Sequence, residues 1–360
     1  MTSARGSASR LIVIGAGIAG LSAAWSASMM GFSVTCLESR EIGHAAGSSA
    51  GTAKIFRYAY EDVRYARFLA EVEPLWRKLE SRMGAFLIGP CPGLNIGLAD
   101  SLPIASVIDT LEAVDRKYEV LERRDPRLPA FGIRLHEGEL AVLEPGAGVL
   151  NPADVLTALE RQLIDLGATI HERTTATRVE TYSGGVRVDT ESGALTADRV
   201  IIAAGPWLPD LVKNPPKPLT VTRQHQLTLA TSGPVGGGAR FAWADLARDD
   251  VYGIANHDGV HLIGNHAPGP VGRNSTDSPD EKDLSIVRSC LAELEVRLIG
   301  EPELKVIGSR VCHYTNTNDG SFLITHHKEV PGVIVLSACS GHGFKFALGT
   351  GRQAAELAFT

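Results

Sequence analysis

Arg10-Leu11-Ile12-Val13-Ile14-Gly15-Ala16-Gly17-Ile18-Ala19-Gly20-Leu21 is the stretch whose reading decides the fold. Arg10 to Ile14 is a short run rich in isoleucine and valine, as expected of a strand buried on both faces of a parallel sheet. Gly15, Gly17 and Gly20 follow in the spacing G-x-G-x-x-G, Leu21 to Met30 reads as a helix, and Phe32 to Leu37 reads as a second buried strand ending at Glu38. Each glycine has its own physical reason. Gly15 permits the tight turn, Gly17 lets a pyrophosphate approach the backbone, and Gly20 allows close helix–strand packing. The helix N-terminus offers unpaired N–H groups and the positive end of its dipole to the phosphates. Glu38 accepts hydrogen bonds from ribose hydroxyls and repels a 2′-phosphate. The motif fits FAD and NAD equally.

The uncharged run from Leu11 to Val34, preceded by Arg5 and Arg10, has the length of a signal peptide or a membrane span. Its glycines and serines argue instead for strand, turn and helix in a soluble, cytoplasmic protein. Across the 360 residues, 44% are hydrophobic and 21% charged, which excludes a largely disordered chain. Lys+Arg number 35 against 41 Asp+Glu, a net charge of −6, so no nucleic-acid backbone is expected as a partner. Cys36, Cys91, Cys290, Cys312 and Cys339 are odd in number and contain no C-x-x-C pair, a pattern of reduced thiols rather than of a disulfide framework.

Two later segments repeat the nucleotide-binding theme and favour FAD. Arg199 to Trp207 is a buried strand ending in the turn Ala203-Ala204-Gly205-Pro206, after a helix from Asp154 to Leu166 and strands at Gly167 to His171 and around Val179. Gly332 to Ser337 is a strand, Ser340 to Phe344 a glycine loop, and Phe346 to Phe359 a helix. Nucleotide-type strands at both ends and in the middle predict one discontinuous α/β domain with insertions. A Rossmann-like FAD-binding domain would be assembled from 1–80, 145–215 and 305–360. A mixed or antiparallel sheet, from 81–144 and 216–304, would form the substrate domain.

The segments Gly47-Ser48-Ser49 through Arg57-Tyr58-Ala59-Tyr60, Glu144-Pro145-Gly146-Ala147-Gly148, Ala203 to Trp207, Val311-Cys312-His313-Tyr314-Thr315 and Ser340-Gly341-His342-Gly343-Phe344-Lys345 together resemble the glycine/D-amino-acid oxidase group of flavoproteins. Within that group the resemblance is to the monomeric sarcosine oxidase subfamily, over nearly the whole chain. It implies a two-domain fold and FAD, and with the cofactor Ser48, Lys54, Ala204, Gly205, Gly341, Gly343, Phe344 and Lys345 as cofactor-binding positions beside the fingerprint. Cys312 matches the cysteine joined through sulfur to the flavin 8α-methyl, so covalent attachment is expected there. Arg57 and Lys345 match the two cations that hold the substrate carboxylate. Tyr314 is expected to border the same pocket, and Cys339 to pack. Lys54 keeps the charge of the arginine usual near the flavin ring but not its fork.

The implied activity is oxidation of the C–N bond of a secondary or cyclic amino acid to an imine, with hydride passing to flavin N5 and oxygen reduced to hydrogen peroxide. The partner is then a small amino acid with a free carboxylate, and the enzyme is expected to act as a monomer. Two departures bear on this expectation. Leu262 stands where the resembled oxidases carry a lysine that assists reaction with oxygen, leaving His261 as its substitute or a different electron acceptor; His266 matches their pocket histidine. Ala50 replaces a histidine near the flavin, which points to a substrate other than sarcosine. The alternatives are a flavin dehydrogenase of an amino or hydroxy acid, or a non-catalytic flavin-binding subunit. His257, His261 and His266 lie at spacings that do not put three ligands on one strand face, so no metal is expected. The stretches 233–238 and 268–279 read as surface loops, one of them a lid.

Overall fold

In the computed structural model, which describes residues 8–232, 240–247, 251–256, 259–267, 269–273, 281–300 and 303–360, the strand Arg10–Ile14 lies inside a six-stranded sheet. The order is Leu323–His326, Val333–Ser337, Arg199–Ile202, Arg10–Ile14, Ser33–Leu37, Thr169–His171. All neighbours are parallel except the edge pair formed by Leu323–His326 and Val333–Ser337. Burial on both faces explains the unbroken apolar runs: Leu11, Val13, Ile201 and Ile334 pack toward the helices, while Ile12, Ile14, Val200 and Val335 face a smaller core.

The uncharged N-terminal run is divided as its glycines imply, into Arg10–Ile14, the helix Ile18–Met29 and Ser33–Leu37. The helix starts earlier than Leu21 because Ser49 Oγ accepts the Ile18 N–H at 2.9 Å and so caps the first turn from another segment. Gly15 has φ +96°, and a Cβ on Gly20 would fall 1.8 Å from the Gly15 carbonyl oxygen, so both positions require glycine. The C-terminal helix Ala347–Phe359 crosses the first helix closely, as a Cβ at Gly351 would lie 2.5 Å from the Ala23 nitrogen. Among the described residues no helix is long and apolar enough to cross a membrane.

The second sheet has eight strands in the order Leu304–Thr317, Leu219–Thr231, Val260–Asn265, Val251–Ala255, Phe241–Asp245, Gly93–Leu98, Glu139–Glu144, Glu119–Glu122. It is mixed: Phe241–Asp245 runs parallel to Gly93–Leu98 and the other pairs are antiparallel. Leu304–Thr317, counted with the nucleotide-binding unit in the sequence, is hydrogen-bonded along its length to Leu219–Thr231 in this second sheet. Of the two loops read from sequence, residues 233–238, 268 and 274–279 lie outside the described residues, as does His257.

One face of this sheet packs on the helix Glu281–Arg297 through Leu227, Leu229, Ile263, Cys290 and Leu294. Arg297 ends that helix with no exposure and reaches three carboxylates: Glu139 at 2.5 Å, Glu293 at 2.9 Å, and Asp245. Burial pushes the Asp245 carboxyl up to about 6 against the opposing pull of Arg297. Replacing Arg297 with Met should cost about 3–5 kcal/mol, because it leaves buried carboxylates uncompensated. That deficit, read from urea unfolding, should be smaller at pH 5 than at pH 8. Carboxyls whose folded pKa is raised take up protons as pH falls, so their burial penalty fades. An Arg297→Met protein with wild-type stability at pH 8 would remove the network from any role in stability.

Candidate active site

Between the two sheets lies a cavity of about 1490 Å³, larger than the roughly 300–1,000 Å³ of an ordinary small-ligand cleft. One end is the glycine turn. Gly15, Gly17, Glu38, Ala204 and Gly205 all line it. The Glu38 carboxylate accepts the N–H of Ala16 at 2.8 Å and of Arg40 at 3.0 Å, and His44 approaches at 3.5 Å. Burial works against ionisation of Glu38, but His44 and the two backbone N–H groups outweigh it and hold the carboxyl below its ordinary range. The acid is therefore charged where a ribose would meet it.

The other end is cationic. Lys54 stands on the short strand Lys54–Phe56, donates to the Ser48 carbonyl at 3.2 Å and lies 5.9 Å from the Phe344 ring. Ser48 in turn donates through its hydroxyl to the His313 carbonyl. Arg57 follows the same strand, donates to Asn95 Oδ1 and sits 5.6 Å from the Tyr60 ring centre. It is not paired with Glu61 or Asp62; Asp62 caps the next helix and holds Arg64. Lys345, only 7% exposed, lies in the short 3-10 turn Phe344–Phe346. Its ammonium donates to Tyr60 Oη at 2.8 Å, and its carbonyl accepts the Trp76 indole N–H at 2.8 Å. Among the described residues none of these three cations forms an ion pair. Burial, then the nearby Arg57, lowers Lys345 to about 7 despite an opposing pull from Glu144; burial likewise lowers Lys54.

Glu144 sets the positions of Arg57 and Tyr60. Its carboxylate is 1% exposed and accepts the Tyr58 N–H at 2.9 and 3.1 Å and the Ala59 N–H at 3.1 Å. Burial raises its pKa, and those two N–H groups and Arg57 pull the other way. A buried carboxylate thus pins the backbone between the cation and the tyrosine.

The remaining wall comes from the eight-stranded sheet, where Asp245 is paired with Arg297 and the residues facing the cations are uncharged. By strand alternation Cys312, Tyr314 and Asn316 share one face, and all three line the cavity. Tyr314 Oη is 3.0 Å from His266 Nδ1, and His266 stacks on Tyr252 at 4.5 Å. Burial, reinforced by Arg57 and Lys345, pushes His266 down to about 3, so its imidazole is uncharged near neutrality. Burial pushes Tyr252 up to about 12 and holds Tyr314 well above its ordinary value. Gly341, Gly343 and Phe344 complete the lining, and Cys339, expected only to pack, also borders the cavity.

His261 is not brought to this site. It pairs with Leu229 and shares that residue's face, toward the helix Glu281–Arg297, with Nε2 3.4 Å from Thr231 Oγ1. A strand turns alternate residues to opposite faces, so His261 cannot take the place of a side chain at 262. Leu262 itself packs among Ala53, Val149, Ala242 and Ile254. Sequence reasoning gave no role to Asn95, Tyr60, Glu144, Tyr252 or His342. Asn95 left a usable signal, being a lone amide in the apolar strand Gly93–Leu98.

Residues 10–357 match the model of a family described as FAD dependent oxidoreductase. The chain is 30% identical to the monomeric sarcosine oxidase of Streptomyces avermitilis, covering 97% of this chain and 93% of that protein. It is 29% identical to the N-methyl-L-tryptophan oxidase of Yersinia pestis, covering 97% and 94%. Among solved structures it is similar to NikD, an unusual amino acid oxidase essential for nikkomycin biosynthesis, with TM-score 0.83, 23% identity and coverage of 98% and 94%. It is also similar to L-proline dehydrogenase from P. horikoshii, with TM-score 0.79, 20% identity and coverage of 97% and 93%. These two likenesses are of fold.

Glu144→Gln should lower stability by about 1.5–3 kcal/mol, the range for hydrogen bonds to a charged group. An amide keeps one accepting oxygen but turns its NH₂ toward backbone N–H groups. Thermal unfolding reads the loss, and an unshifted midpoint would show that the carboxylate does not hold this backbone.

Proposed function

The chain belongs to the family of FAD-dependent oxidoreductases, and on that premise we propose that it oxidises the C–N bond of a secondary or cyclic amino acid. The observation that carries the reading is the pair Arg57 and Lys345, a half-buried guanidinium and a buried ammonium on one cavity without a carboxylate in contact. A planar guanidinium grips a carboxylate bidentately and an ammonium adds a point charge, so the pair suits the carboxylate of an amino acid. The names of the two sequence relatives, which specify sarcosine and N-methyl-L-tryptophan, support a secondary amine beside that carboxylate.

The residues fit FAD: a glycine turn where added Cβ atoms would collide, an ionised Glu38 beside it, and a cavity long enough to continue from there to the cations. When bound, FAD supplies the acceptor for the substrate's α-hydrogen and its electron pair. The protein's share is orientation. Arg57 and Lys345 hold the carboxylate, and uncharged His266 with undissociated Tyr252 and Tyr314 forms a wall that carries no strong base at neutral pH. The amino acid therefore reacts with its amine unprotonated, the nitrogen lone pair forming the C=N bond of the imine. In this reading the six-stranded sheet and its helices form the flavin unit, and the eight-stranded sheet, with Leu304–Thr317, forms the substrate unit.

Cys312, 8% exposed on the cavity face, is our assignment for thioether attachment of the flavin. Five free cysteines suit a reducing cytoplasm, and we take the monomer as the working unit. Molecular oxygen, giving hydrogen peroxide, is the acceptor we favour. The apolar setting of Leu262 favours a second reading, a dehydrogenase that passes electrons to another acceptor.

Lys345→Ala should weaken binding of carboxylate inhibitors about 100-fold, the order expected for losing a charge-assisted contact in a desolvated site. Unchanged affinity would sink the carboxylate assignment. Acid precipitation of the wild-type protein should leave the yellow colour in the pellet, and Cys312→Ala should release it to the supernatant. Turnover of N-methyl amino acids with and without oxygen, against an artificial acceptor, separates oxidase from dehydrogenase.

A further inference from the structure

We infer that Tyr60 and His342 are positioning residues for Lys345: a one-way chain of hydrogen bonds, Lys345 to Tyr60 to His342 to the Gly320 carbonyl, holds its ammonium with one N–H left for a ligand carboxylate. This rests on the carboxylate role proposed for Lys345.

The polarity of the chain is fixed from its far end. His342 Nε2 is 3.3 Å from the Gly320 carbonyl oxygen, which only accepts, so Nε2 carries the proton. His342 Nδ1 is then an acceptor, and it lies 3.4 Å from Tyr60 Oη, so the phenol donates to it. The phenol oxygen is left to accept from Lys345 Nζ at 2.8 Å. A second Lys345 N–H is directed at the His342 carbonyl at 3.4 Å. An ammonium has three donors, and the third has no acceptor among the described residues.

The ring of His342 is held as firmly as its nitrogens. It stacks on Phe322 at 5.1 Å and meets Tyr65 edge-on at 4.6 Å, and Tyr65 Oη donates to the same Gly320 carbonyl at 3.1 Å. Burial, with Lys345 and Arg57, lowers His342 to about 4, so the neutral tautomer that the chain requires is the one present near pH 7. The charged or titratable groups around Lys345 are Arg57 and Tyr60 from its own side, Glu144 behind them, His266 and Tyr314 across the cavity, Lys54 along it, and Tyr65 with Asp319 beyond Gly320.

Tyr60 Oη accepts from the charged form of Lys345 and so favours it against burial. Carboxylate binding that needs this ammonium is complete below its pKa and lost as pH rises through it. Removing the Tyr60 hydroxyl therefore moves that loss to lower pH.

The test is a titration of the flavin-loaded enzyme with furan-2-carboxylate, a cyclic carboxylate with oxygen in place of the amine nitrogen, from pH 5 to 9. The readout is the perturbed visible spectrum. Tyr60→Phe should weaken binding near neutrality by about tenfold and shift the falling limb about one unit toward acid, since one pKa unit is a tenfold change. His342→Phe, which leaves Tyr60 without its acceptor, should shift the limb the same way. His342→Gln, able to accept from Tyr60 and donate to Gly320, should restore it. If both phenylalanine variants retain the wild-type limb, the chain does not position Lys345. The same result in His342→Phe and His342→Gln overturns the chain even where Tyr60→Phe fails to load flavin. Failure of the underlying carboxylate assignment is distinguished by Lys345→Ala, which would then leave furan-2-carboxylate affinity unchanged at every pH.

Discussion

Three cations, the buried Lys345 and the half-buried Lys54 and Arg57, surround one cavity with no carboxylate in contact among the described residues. Burying a charge without a partner is among the costliest things a fold can do. The carboxylate nearest in function, Glu144, does not pair with them but directs its oxygens to the N–H groups of Tyr58 and Ala59. The positive potential is thereby left for something that enters the cavity. A flavoprotein that binds an anionic substrate supplies that charge, so the unbalanced site is a cost of folding that ligands offset.

Rigid surroundings keep such a site from collapsing. Lys345 rides on a 3-10 turn whose carbonyl is fixed by Trp76, a fully buried side chain of the helix Val63–Met83. The helix that follows is locked against the first helix at Gly351. The cation is therefore tied, through the last helix, to the helix that the glycine turn begins. The glycine-turn end and the cationic end of the cavity thus share one scaffold.

Much of this was legible in the residues. The glycine spacing, its flanking strands and Glu38 fix the six-stranded sheet by local rules, because each glycine answers a steric demand within a few residues. Read from sequence, residues from 305 onward count with that unit. The pairing of Leu304–Thr317 with Leu219–Thr231 is a long-range choice that periodicity cannot express. His261 illustrates a finer limit. One residue of register decides which face of a strand a side chain occupies, and a neighbouring position cannot substitute for Leu262. The joint role of Tyr60 and His342 escaped the sequence for another reason: it arises only when three distant segments meet.

The cavity's charge is asymmetric, and under the carboxylate role proposed for Arg57 and Lys345 the asymmetry sets how a substrate would lie in it. One wall offers Arg57 and Lys345; the opposite wall offers His266, Tyr252 and Tyr314, all uncharged near neutrality and packed ring on ring. An amino acid entering with its carboxylate toward the cations turns its amine and side chain toward aromatic faces. A protonated amine would gain from those faces but suffer from the two cations, so the site favours the amine that has lost its proton. In the proposed binding mode the charges that would grip the carboxylate also select the form of the amine that can give up its α-hydrogen, so that binding and activation would follow from one electrostatic arrangement.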